Sequence, residues 1–114
     1  MFKHILVAID GSEYSRQAVP TAIEAAMSFG ADVFVLHVRE QPRGRAVVYP
    51  HETPDEARLL VDNAIKTVRA AGITVKGEVD DEFAGQAAKG IVAEAAAQGC
   101  DLICMGSRGL SDVA

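Results

Sequence analysis

The chain has no tryptophan and few aromatic residues of any kind. Platforms that stack nucleic-acid bases are built from aromatic rings, so this scarcity argues against one. It also lacks a positive balance: the net charge is −5. Sequence-independent binding to a phosphate backbone needs a basic face, so nucleic acid is not an expected partner. No apolar run approaches the ~20 residues of a membrane-spanning helix, and no membrane partner is expected. Met1-Phe2-Lys3-His4 leads straight into a strand pattern, without the charged, apolar and cleavage regions of a signal peptide, so a cytoplasmic location is expected. There are two cysteines, Cys100 and Cys104. Their spacing is neither a zinc nor a thioredoxin motif, and on one strand face they would lie too far apart to bond. Two buried thiols in a reducing compartment are expected.

What is present is apolar material in a regular rhythm. Hydrophobic residues make up 49% of 114 positions, enough for a single domain spanning residues 1–114 that buries roughly two-thirds of its unfolded surface. The hydrophobic period alternates between two kinds. "HILVAID" (4–10), "DVFVLHV" (32–38) and "DLICM" (101–105) are short runs, apolar on both faces. "ITVKGEV" (73–79) instead alternates strictly, with Ile73, Val75 and Val79 on one side. Between these runs lie helical stripes. Ala18, Val19, Ala22, Ile23, Ala26 and Met27 form the first, stopped by Gly30. The second opens on Thr53-Pro54-Asp55-Glu56, an N-cap, a first-turn proline and a capping box, and ends at Gly72. The third runs from Ala84 through Ala96 to Gly99. Pro20 falls inside the first stripe and predicts a kink there.

Strand-helix alternation of this kind predicts an α/β fold with an open parallel sheet, right-handed crossovers and helices on both faces. Strands buried on both faces belong in the middle of a parallel sheet, so the amphipathic third strand belongs at an edge. The order 3-2-1-4 satisfies this. In that order the connection reverses between strands 1 and 4, and such reversals are where open α/β sheets bind ligands. Two stretches then meet at one crevice: Asp10-Gly11-Ser12 and Gly106-Ser107-Arg108-Gly109.

A turn with Gly106 and Gly109 ahead of a helix signal can aim several N–H groups at an anion, and Arg108 can add a charged hydrogen bond. As a bare motif it is more often a plain turn; its place at the strand reversal and the adjacent Arg108 bring the phosphate reading level with that one. Asp10 reads either as an Asx-turn acceptor or as a carboxylate for ligand hydroxyls, and Ser12 as a helix N-cap. Val38 reads as core whose backbone could still meet a base edge. Other chemistries fail residue by residue. There is no Gly-x-Gly-x-x-Gly after the first strand, no Gly-Lys-Ser/Thr, no Ser/Gly-rich pyrophosphatase loop, and no receiver-type acidic pair with a distal lysine. His4, His37 and His51 share no metal or triad spacing, and His37 is expected to be a hydrogen-bonded core residue. Asp80-Asp81-Glu82 reads as a solvated loop capping the third helix, with a cation site as the alternative. Arg39, Arg43 and Arg45 read as solvated charge, or as a lid over phosphates.

"ILVAIDGSEYSRQA", "LHV" and "DLICMGSRGLSDVA", taken in order and spacing, resemble the universal stress protein family over the whole chain. The resemblance implies a Rossmann-like fold and, in one branch, ATP bound through Gly-x2-Gly-x9-Gly-Ser/Thr, with Mg2+ as a possible companion. It implies that Asp10 is the acidic residue at the adenosine end, with Ala8 and Ile9 beside it. It implies that the Val38 main chain pairs with adenine, and that Met105, Gly106, Arg108 and Gly109 begin the phosphate motif. The third glycine, the final helix and the last strand would fall beyond Ala114, so the chain is expected to be incomplete at its C-terminus. The expected function is an ATP-binding regulatory or stress-response protein, a homo-oligomer with no committed catalysis, catalytic residues or metal site. The alternatives are an interaction module of the same fold that dimerises without a nucleotide, and a slow ATP-hydrolysing enzyme.

Overall fold

β1 (His4–Ile9), α1 (Glu13–Phe29), β2 (Asp32–Gln41), α2 (Pro54–Ala70), β3 (Val75–Phe83), α3 (Ala87–Ala97) and β4 (Leu102–Met105) follow one another along the chain. The computed structural model describes residues 1–41, 53–83 and 85–106. The strands form one parallel sheet in the order β3-β2-β1-β4. β1 lies in the interior of the sheet, with His4 to Ile9 opposite Asp32 to His37 on one side and Ile5 to Ala8 opposite Leu102 to Met105 on the other.

Side-chain alternation divides the core in two. Ile5, Val7 and Ile9 of β1 point to the face covered by α1 and α2, where they meet Ala18, Ala22, Val61 and Val68. Leu6 and Ala8 point to the face covered by α3, where Phe34, Leu36, Ile91 and Ala95 close around them. Ile5, Leu6, Val7, Val35 and Leu36 are fully buried. Each such side chain contributes about 1.5–3 kcal/mol relative to leaving it exposed.

The helix signals act as their chemistry requires. The Thr53 hydroxyl accepts from the Glu56 amide at 3.0 Å, and the Glu56 carboxylate accepts from the Thr53 amide at 2.8 Å, closing the expected capping box ahead of α2. α1 starts after Ser12, ends on Gly30 in the left-handed conformation (φ 69), and continues unbroken across the exposed Pro20.

Three expectations need correcting. β3 does not end at Val79; it continues through Asp80-Asp81-Glu82 to Phe83, a stretch expected to be a loop. The reason lies in β2, which itself runs on to Gln41, so Val38 to Gln41 find ladder partners in Asp80 to Phe83. As an edge strand, β3 leaves Asp81 exposed and Asp80 and Glu82 only partly buried while its backbone pairs with β2. The third helix accordingly starts at Ala87. The two cysteines do not share a face. Cys100 precedes β4 and packs on the α3 side, whereas Cys104, inside β4, packs on the α1/α2 side, and both are half-buried.

Candidate functional site

β1 ends at Ile9, and the chain then turns through Asp10, Gly11 and Ser12 into α1. Gly11 makes the turn possible. Its φ of 84 lies where side-chain-bearing residues are strained. The turn is knit by short-range bonds. The Ser12 amide donates to the Asp10 carboxylate at 2.8 Å, an Asx turn. The Ser15 amide donates to the Ser12 hydroxyl at 3.1 Å, which makes Ser12 the N-cap of α1 as its residue type predicts. The Ser15 hydroxyl accepts from the Asp10 amide at 3.0 Å and donates to the Ser12 carbonyl at 3.1 Å.

Ser15 is buried and was not singled out by the sequence reading. The signal was there: Ser-x-x-Ser places a serine at the third helical position, where capping boxes carry Glu or Gln. A hydroxyl at that position is short enough to be buried under the turn. From the other side, the His37 imidazole Nδ1 donates to the Ile9 carbonyl at 2.8 Å, so His37 is the hydrogen-bonded core histidine that was expected.

These bonds set the charge of Asp10. Partial burial pushes its carboxyl up, but hydrogen bonds from Ser12 and Ser15 and the nearby His37 imidazole outweigh burial and hold it below its ordinary value. An exposed carboxylate results, fixed in direction at the head of α1. Such a group accepts from hydroxyls of a sugar. It repels a phosphate, so any anion would belong on the β4 side of the crevice.

β4 supplies that side. Ala8 of β1 lies opposite Met105, so Ile9 and Asp10 leave the sheet beside Gly106. Val38, half-buried, follows the Ile9–His37 pair on β2. Ala8, Ile9, Asp10, Met105 and Gly106 thus share one edge of the sheet, with Val38 next to them. Arg108 and Gly109 lie outside the described residues. A groove of about 360 Å3 runs past Met105 and Gly106 along Gln17, Ala18 and Thr21 of α1. Asp10 does not line it.

Other candidates are used elsewhere. Arg39 is neither free surface charge nor a lid: largely buried, it bonds Asp81 at 3.1 Å across β2 and β3. Arg43, Arg45 and His51 lie outside the described residues. His4 pairs with Asp32 at 2.7 Å at the opposite edge of the sheet. The acidic run does not cap α3; Glu40 does, its carboxylate accepting from the Gly85 and Ala87 amides at 2.9 and 3.3 Å. Asp80 instead faces α3. Burial, together with the Glu94, Glu78 and Glu82 carboxylates, pushes its carboxyl up to about 6.

Comparison with known proteins agrees with this architecture. Residues 1–114 match the profile of the Universal stress protein family. A curated universal stress protein of Thermus aquaticus is 33% identical over 116 residues, covering 99% of this chain and 82% of that protein. Among solved structures, a universal stress protein family member from Burkholderia pseudomallei superposes with a TM-score of 0.80 at 22% identity, covering 97% of this chain and 86% of the other. A universal stress protein crystallised in complex with cAMP gives a TM-score of 0.73, also at 22% identity, covering 96% and 80%.

Proposed function

The chain belongs to the universal stress protein family, and from that premise we propose that it binds an adenine nucleotide, ATP with Mg2+, at the carboxyl edge of β1 and β4, in a regulatory or stress-response role. The observation that carries this reading is the convergence of the Asp10 turn and Gly106 across adjacent strands. The relative bound to cAMP supports an adenine nucleotide as the class of ligand.

Each residue has a part in the proposed site. The Asp10 carboxylate accepts from ribose hydroxyls. The Ala8 and Ile9 backbone forms the floor. The Val38 main chain pairs with the base edge. Met105 and Gly106 open the phosphate side, which Arg108 and Gly109 complete through a guanidinium and a backbone amide. Turnover would call for a positioned base and a cation on the terminal phosphate. The proposed role uses binding alone.

Titration calorimetry of the protein with ATP and Mg2+ tests the assignment. Wild type should bind at roughly micromolar strength, about −8 kcal/mol, and Gly109→Val should block the close backbone approach. Equal heats from wild type and Gly109→Val would overturn the site. A second reading has its own observation. Ile103 and Met105 are exposed on β4, an apolar edge that suits association with another copy of the chain. A chain that self-associates at micromolar concentration and ignores ATP would favour it.

A further inference from the structure

The peptide group joining Ile9 to Asp10 is held at both ends by buried side chains of two other elements. Its carbonyl accepts from His37 of β2 at 2.8 Å, and its N–H donates to the Ser15 hydroxyl of α1 at 3.0 Å. His37 and Ser15 are each 3% exposed. They are the most deeply buried polar side chains among the described residues, and both meet on this one peptide.

A peptide group is planar, so fixing its carbonyl and its amide fixes the rotation of the whole plane. That plane decides how the chain leaves β1. The constraint passes onward, because the Ser15 hydroxyl also donates to the Ser12 carbonyl and the Ser12 amide holds the Asp10 carboxylate. The carbonyl can only accept, so the imidazole must carry its hydrogen on Nδ1 to take part.

We propose that His37 and Ser15 are positioning residues that clamp the Ile9–Asp10 peptide and so set the direction in which Asp10 presents its carboxylate. Their service to a nucleotide rests on the function proposed above; the clamp itself does not. Neither side chain touches the ligand. Merely satisfying a buried peptide would stabilise the fold without orienting Asp10, and the test separates the two.

The variants are Ser15→Ala, His37→Leu and His37→Asn, the last because an asparagine side-chain N–H lies where the imidazole Nδ1–H does. Two quantities are read. Amide hydrogen exchange in the ligand-free protein compares Asp10 with Val35, a core amide that reports global opening. Calorimetry reads ATP–Mg2+ affinity. Ser15→Ala and His37→Leu should each speed exchange at Asp10 at least ~10-fold more than at Val35 and weaken ATP ~10-fold. Their double variant should lose little more than either alone, because both act on one peptide. His37→Asn should stay within ~3-fold of wild type. Equal acceleration at Asp10 and Val35, or unchanged affinity in Ser15→Ala and His37→Leu, would overturn the clamp. Should His37→Leu fail to fold, Ser15→Ala decides alone. A wild type that takes up no ATP removes the nucleotide reading, and exchange at Asp10 then decides the clamp by itself: local acceleration upholds it and uniform acceleration removes it.

Discussion

Ala8 stands opposite Met105 in the β1–β4 ladder, although nearly the whole chain separates them. This pairing turns two remote turns into one crevice. It also explains why the crevice opens at the carboxyl edge: β1 and β4 run parallel, so both chains leave the sheet on the same side. Asp10 arrives there already ionised and held by Ser12, while Gly106 brings backbone without a side chain.

Replacing Gly11 should show how much the turn depends on its left-handed backbone. An added Cβ would meet Leu60 Cδ1 at only 3.4 Å, an ordinary contact, so the strain comes from the φ of 84. Gly11→Ala should lower stability by about 1–2 kcal/mol. Urea unfolding checks this; a midpoint unchanged from wild type would mean that the turn relaxes freely.

Asp10 should contribute stability that depends on pH in one direction. Its folded value lies below the ordinary 3.8, so the unfolded chain binds the proton more readily. The contribution is fully present above that ordinary value and is lost as pH falls through the lower, folded one. The difference in melting temperature between wild type and Asp10→Asn should therefore be constant near neutrality and shrink at acid pH. Thermal scans from neutrality into the acid range read it. A difference that grows on acidification would contradict the hydrogen bonds that hold Asp10 ionised.

Asp80 should act in the opposite sense. Its folded value, about 6, lies above the ordinary 3.8, so the folded protein holds the proton more tightly. Stability on its account is greatest below the ordinary value and falls as pH rises between the two. Asp80→Asn, which mimics the protonated form, should stabilise the protein above pH 6 by no more than ~1 kcal/mol, since Asp80 is only partly buried and its carboxylate neighbours are screened by solvent. The gain should vanish toward acid pH. Denaturant midpoints at several pH values check this, and a stabilisation independent of pH would rule out the ionisation of Asp80 as its cause.

Two glycines should respond oppositely to alanine. In β3, an added Cβ at Gly77 would sit 2.8 Å from both the Val35 carbonyl oxygen and Val61 Cγ1. Backbone and a packed helix cannot step aside cheaply, so Gly77→Ala should destabilise by about 1–3 kcal/mol. In α3, the nearest atom to an added Cβ at Gly90 is Glu82 Cγ at 3.0 Å, part of a flexible side chain. Helix propensity then favours Gly90→Ala by up to ~1 kcal/mol. Parallel urea titrations compare the two, and loss of stability in both would show that Glu82 is held rigidly against α3.

The site was legible where residue type alone constrains geometry. Ser12 is a cap and Asp10 an Asx acceptor because their side chains reach amides within three residues along the chain. Ser15 and Glu40 were missed because their roles depend on what surrounds them. Ser15 matters because its hydroxyl is buried beneath the β1 exit. Glu40 matters because β2 is long enough to carry it to the start of α3.

By itself the sequence determined the element order, the N-caps of α1 and α2 and the edge position of β3, because period, cap chemistry and apolar patterning are local properties written in neighbouring residues. The length of β2 and β3, the separation of Cys100 from Cys104, and the meeting of His37 with Ser15 on one peptide were decided only in the tertiary structure. Each depends on what a second strand or helix offers across the sheet, and no local pattern in the chain encodes that partner.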